Sequence, residues 1–169
     1  MRAIVAVDRN WGIGCGGKLL QRIPEDLARF KAMTLHKAVV MGRTTFLSLP
    51  GQKPLKDRVN IVLSRNPEFI REGVTVCRST DALFQTLVPY DPGDVYVIGG
   101  GAVYAALLPY CTESYVTKID NAYPADTHYP NLDEASGWRL VSESGPMDYM
   151  DIEFRYTTYK NESPKAYGA

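Results

Sequence analysis

Short, nearly unbroken apolar runs recur along the chain: Ala3–Val7, Ala38–Met41, Val59–Leu63, Val74–Cys77 and Val95–Ile98. Each is bounded by polar or turn-forming residues, the pattern of strands buried on both faces. Helical spacing appears between several of them. The stretch PEDLARFKAM sets Leu27, Phe30 and Met33 on one side. Pro24 suits its first helical position, where a missing N–H costs nothing. Ser79 or Thr80 can cap a helix carrying Leu83 and Leu87, with Asp81 in its first turn. A further helix is predicted from Ala102 to Leu108, stopping before Pro109. Strands alternating with helices predict an α/β domain with a largely parallel sheet. The far end differs: Ser114–Ile119, Trp138–Glu143 and Ile152–Tyr159 read as strands with no helix between them. Gly145-Pro146 separates the last two, which predicts an antiparallel finish. No repeat or linker divides the chain, so one domain over residues 1–160 is expected, followed by a loose polar tail at 161–169.

Composition narrows the partners. The chain has 169 residues, enough for one domain with a substantial core. Its 19 Lys and Arg balance its 19 Asp and Glu. Nucleic acid and anionic membrane are thereby disfavoured, since both need a basic excess. A small anion held by two or three arginines stays open. The three cysteines, Cys15, Cys77 and Cys111, are widely spaced, and the only histidines are His36 and His128. No metal-ligand spacing results, so no metal is expected, and free thiols in a reducing compartment are the plain reading. No apolar run approaches the roughly 20 residues that span a bilayer. A soluble, cytoplasmic protein is expected.

Several junctions could carry chemistry. Val95–Ile98 runs into Gly99-Gly100-Gly101 and then a helix, an arrangement that suits a pyrophosphate or serves only as a tight turn. Val39–Met41 runs into Gly42-Arg43-Thr44-Thr45, and Ser64-Arg65 leaves another strand. Parallel strands would bring all three exits to the edge where α/β sheets bind ligands. Arg43 and Arg65 are then either solvated surface or a phosphate clamp. The glycine-rich stretch from Asp8 to Lys18 reads as a mobile loop, either a lid or plain surface. Asp26 shares a helix face with Phe30, so it is either a helix-dipole partner or a functional carboxylate. Thr117, mid-strand, is in itself an ordinary β-former.

Taken in order, the stretches DRNWGIG, IPEDLARFK, VVMGRTTFLSLP, RVNIVLSR, VYVIGGGAVY, YVTKID and DTHYP resemble the dihydrofolate reductase family over nearly the whole chain. The resemblance implies a mostly parallel eight-stranded sheet with an antiparallel C-terminal strand and helices on both faces. It implies reduction of 7,8-dihydrofolate to tetrahydrofolate by NADPH, in an enzyme expected to act as a monomer. Asp26 matches the family's pocket carboxylate, whose two oxygens suit two parallel donors from the pterin and whose charge favours protonation at N5. Thr117 matches the hydroxyl that supports it.

The resemblance further implies that Leu27, Phe30, Leu49 and Leu55 wall the substrate rings and that Arg58 grips the glutamate carboxylate. Ala6 and Ile13 match backbones that recognise the nicotinamide carboxamide, Ala6 also facing the substrate. Gly42, Arg43, Thr44, Thr45, Ser64, Arg65, Gly99, Gly100, Gly101, Ala102 and Val103 match the cofactor groove, with the first bond of the triple glycine cis. Two departures stand out. Leu19-Leu20-Gln21 replaces the family's Leu-Pro-Trp, removing an indole from the pterin edge. Ala102 stands where some relatives carry a basic residue, so that phosphate contact is missing. A pyrimidine reductase of the same fold is a near alternative, and a pteridine- or nucleotide-binding protein without turnover a more distant one. Asp26 together with Arg58 favours folate, because the pair reads both ends of that molecule.

Overall fold

A computed structural model describes residues 1–167. In chain order the first half holds β1 (Arg2–Val7), β2 (Gly12–Cys15), β3 (Lys18–Leu19), α1 (Pro24–Thr34), β4 (Ala38–Gly42), α2 (Arg43–Ser48), β5 (Val59–Leu63) and β6 (Val74–Cys77). The second half holds α3 (Thr80–Leu87), β7 (Val95–Gly99), α4 (Gly101–Leu107), β8 (Glu113–Ile119), β9 (Thr127–His128), β10 (Trp138–Glu143), β11 (Met147–Tyr149) and β12 (Ile152–Asn161). The main sheet runs β10-β12-β8-β1-β7-β4-β5-β6, with β11 added against β12. All pairings from β8 to β6 are parallel. β12 runs against each of its neighbours, so the chain ends on the one reversed strand of that path.

Alternating residues of a strand face opposite sides, and both sides of this sheet are covered. On one face Val5, Val40 and Ile61 pack with Leu83 and Leu87 of α3 and Tyr104 and Leu107 of α4. On the other, Val39, Met41 and Val62 pack with Phe46 of α2. Phe46 is fully buried, so Phe46→Ala would cost about 3–5 kcal/mol. Pro24 opens α1 as expected. Ser79 is the cap of α3, its hydroxyl accepting the Ala82 N–H at 3.0 Å.

Three expectations need correction. The stretch after Asp8 is not a featureless loop: β2 pairs with β3 and with β9, making a second, three-stranded sheet. The helix after the triple glycine ends at Leu107, before Pro109 as expected, and a separate 3-10 turn over Leu108–Tyr110 follows, since proline is tolerated in a first helical turn. A short strand, β11, follows the Gly145-Pro146 break. The tail is docked rather than loose. Glu162 N–H donates to Gly137 O at 2.8 Å and Lys165 N–H to Pro109 O at 2.8 Å, while the Tyr167 ring lies 5.2 Å from that of Phe84. Residues 168–169 of that tail lie outside the described residues.

Candidate active site

Ala6, Thr117 and Tyr156 are partners in register across β1, β8 and β12, so their side chains share one face of the sheet. The first turn of α1 lies over this row. Thr117 Oγ1 donates to Asp26 Oδ1 at 2.6 Å, fixing the carboxylate against the sheet. Burial pushes the Asp26 pKa up; the Thr117 hydrogen bond and the Arg29 charge pull against that rise. A half-buried carboxylate with one supporting donor is poised to accept further hydrogen bonds from a ligand.

Leu27 and Phe30 are half-buried on α1, yet among the described residues neither packs against the buried clusters. Leu49 and Leu55 pack on the Phe46 cluster. The buried Asn60 amide accepts the Leu55 N–H at 2.9 Å and donates to Leu55 O at 2.9 Å, which shapes the turn carrying Arg58. Arg58 Nη1 donates to Thr34 Oγ1 at 3.2 Å and Nε to Lys56 O at 2.9 Å. Partial burial lowers its pKa. Thr34 ends α1 and Asp26 lies in its first turn, so helical rise sets the two about 12 Å apart along the axis.

β4 lies between β7 and β5, so the exits Gly42-Arg43, Gly99-Gly100 and Ser64-Arg65 stand side by side. The β4–β7 register shifts at this point, with Met41 opposite Gly99, and the Gly99–Gly100 peptide is cis. Backbone is bare here for a reason. A Cβ at Gly99 would come 2.8 Å from Thr45 Oγ1, and one at Gly42 3.1 Å from Val103 Cγ2. Neither Gly42 nor Gly100, the caps of α2 and α4, carries a side-chain cap, which leaves first-turn N–H groups free. Arg43, Thr44 and Arg65 are exposed, and Thr45 is half-buried. Ala102 is exposed and brings no donor. Arg78, at the exit of β6, carries no signal of its own in the sequence because its neighbours read as a helix cap. Its guanidinium spans carbonyls of the turn after Arg65, including Phe69 O at 2.9 Å and a bond to Asn66 O.

The β2–β3 hairpin closes over this edge. Asp8 is buried, and its carboxylate accepts N–H groups from Asn10 at 2.9 Å, Gly12 at 2.8 Å and Tyr123 at 3.0 Å. A Cβ at Gly17 would lie 3.8 Å from Thr44, and one at Gly101 2.6 Å from Thr127, so the hairpin and β9 flank the groove. Ile13, half-buried in β2, packs against the main core. At the hairpin base Tyr123 Oη donates to Gln21 Oε1 at 3.2 Å. No local signal in the sequence points to Tyr123, Arg29 or Tyr156.

The comparisons agree with this arrangement. Residues 1–161 match the family described as dihydrofolate reductase. A dihydrofolate reductase of Bacillus subtilis is 38% identical over 167 residues, covering 95% of each chain. A dihydrofolate reductase type 3 of Salmonella typhimurium is 42% identical over 141 residues, covering 83% of this chain and 84% of its own. A solved dihydrofolate reductase from Enterococcus faecalis, complexed with NADP(H) and RAB-propyl, superposes with a TM-score of 0.81 at 35% identity over 96% of each chain. The chain belongs to the dihydrofolate reductase family.

Proposed function

We propose that this chain reduces 7,8-dihydrofolate to 5,6,7,8-tetrahydrofolate with NADPH as hydride donor. The observation that carries the reading is the placement of Asp26 and Arg58 at opposite ends of α1. Dihydrofolate has the matching form, a ring with two parallel donors at one end and a carboxylate at the other. Asp26 accepts the ring N–H and 2-amino donors, held in place by Thr117. Leu27, Phe30, Leu49 and Leu55 cover the rings, and the Ala6 backbone borders them. Arg58 pairs with the glutamate carboxylate. The Asp26 charge favours a proton at N5, which makes C6 more electrophilic.

The groove on the other side fits a phosphorylated dinucleotide. Its bare glycine backbone, the Thr44 and Thr45 hydroxyls, and the guanidinium groups of Arg43 and Arg65 form a donor set for phosphate oxygens. Gly42, Gly99, Gly100, Gly101, Ala102 and Val103 supply the close backbone surface, and Ser64 with Arg65 and Arg43 faces the 2′-phosphate. The Ala6 and Ile13 backbones hold the nicotinamide carboxamide. Bound NADPH supplies the hydride. The hairpin over the groove excludes water from the transfer.

The reading extends to a monomer in the cytoplasm, with residues 1–160 as the catalytic unit and 161–169 as an appended tail. Among the described residues no helix is long and apolar enough to cross a membrane. The test is purified protein mixed with NADPH and dihydrofolate, followed by loss of reduced-cofactor absorbance. Oxidation that depends on dihydrofolate is expected. Binding of both ligands without turnover would mean a pteridine-binding protein instead.

A further inference from the structure

Arg29 lies one turn after Asp26 on α1, so both project from one side of the helix. Its guanidinium carbon stands 3.9 Å from the centroid of the Tyr156 ring. Among the described residues it makes no ion pair within 4.0 Å; the ion pairs found there belong to other cations. Tyr156 is the β12 partner of Thr117, and Thr117 holds Asp26. The ring is thus a platform that keeps the cation close to the carboxylate without touching it.

That separation matters chemically. A direct ion pair would occupy the oxygens that a ligand's two donors require. A guanidinium parked on an aromatic face acts through its field and leaves those oxygens open, and cation–π attraction offsets the loss of a direct partner. The charged and titratable groups around the pair are Glu25 and Arg29 on α1 and Tyr156 on β12. β8 brings only the neutral Thr117 hydroxyl, and β1 brings Ala6. Glu25 is exposed, so its opposing charge is screened by water.

We propose that Arg29, mounted on the Tyr156 ring, is a positioning residue: a stand-off cation that keeps Asp26 ionised in its half-buried site while leaving its oxygens free for the substrate. The proposal rests on the reading of Asp26 as the pterin-binding acid. Its direction agrees with the balance at that site, where burial raises the Asp26 pKa and the Thr117 hydrogen bond, then Arg29, lower it. Arg29 thereby extends the acidic end of the working pH range.

Two measurements test it on the full chain. One is a carbon-13 NMR titration of the Asp26 carboxyl in ligand-free protein. The other is the pH dependence of kcat/KM for dihydrofolate, whose acid limb reports the free enzyme. Arg29→Met and Tyr156→Leu should move the carboxyl midpoint and the acid limb together to higher pH, with the deficit shrinking as pH rises. Arg29→Lys and Tyr156→Phe, which keep the charge and the ring, should return both toward the parent. An unmoved midpoint in Arg29→Met overturns the proposal, as does a loss of activity that is uniform across pH. A midpoint that moves while the rate profile stays fixed supports the coupling and overturns the assignment of Asp26 to the substrate site.

Discussion

The Asp126 carboxylate accepts the Gly16 backbone N–H at 2.9 Å, across 110 positions of sequence, and so ties the tip of the β2–β3 hairpin to the segment leading into β9. This hydrogen bond, with a second from Thr127, holds the Asp126 pKa below its usual range. A carboxylate with a depressed folded-state pKa stabilises only while ionised. Its contribution is complete above the unfolded value of about 3.9 and fades as pH falls through the lower folded value. Asp126→Ala should therefore raise amide exchange from Gly12 to Leu19 at neutral pH, leaving β1 and β4 as protected as before. In the parent, acidification below the carboxylate range should produce the same local loosening.

Asp26→Asn separates activity from stability. The side chains are nearly isosteric, so packing survives, but the charge is lost. Turnover should fall by about 10²–10⁴-fold, the range for a residue that governs a proton. The Asp26 pKa is raised in the folded state, so its favourable contribution is present at low pH and lost as pH rises through that folded value. At neutral pH the buried charge is a burden that the amide removes. Calorimetry should show the variant melting no lower than the parent at neutral pH, with the difference closing in acid.

Arg58→Leu should weaken folate binding while sparing the cofactor. A charged hydrogen-bond pair contributes about 1.5–3 kcal/mol, or roughly ten- to a hundredfold in affinity. Titration with each ligand separately checks this; equal losses for both would remove Arg58 from the substrate end.

Replacing Arg43 and Arg65 together with Gln should compress the preference for NADPH over NADH. The 2′-phosphate carries most of two charges, and these guanidinium groups stand at adjacent strand exits. The ratio of kcat/KM values for the two cofactors should move toward one. An unchanged ratio would place the phosphate elsewhere.

Gln21, which the resemblance sets where the family carries tryptophan, meets Tyr123. Restoring the family residues with Leu20→Pro and Gln21→Trp should reduce the entropy lost on closure, by about 0.4–1 kcal/mol on the proline scale. Amide exchange across Gly12 to Arg22 should slow, with turnover equal or better. A collapse of turnover would mean that the site depends on the Gln21–Tyr123 contact.

The strands β1, β4, β5, β6 and β7 are legible in the sequence because burial within the parallel part of the sheet writes them as short, nearly unbroken apolar runs. β2, β3 and β9 leave no such mark. They are two to four residues long, and two of them are held largely by glycine and polar residues through backbone pairing, so they read as loop. Local sequence leaves Asp26 undecided between a helix-dipole partner and a pocket acid, since both uses want a carboxylate in a first turn. The Thr117 contact favours the second reading, and that contact depends on the β1–β8 register. Arg29 and Tyr156 are invisible for a similar reason: a surface arginine and a strand tyrosine acquire meaning only when the fold stacks them.

The family match ends at Asn161, but the packing of this chain does not. Beyond that point the backbone is tied to Gly137 and Pro109, and Tyr167 fits between Phe84 of α3 and Tyr110 after α4. The packed unit is therefore larger than the stretch matched to the family. A chain trimmed at the homologous boundary would keep every group of the candidate site and still expose aromatic surface on two helices, the kind of patch through which partly opened molecules associate. The aromatic surface of α3 and of the turn after α4 is thus covered in part by a segment that lies beyond the family match.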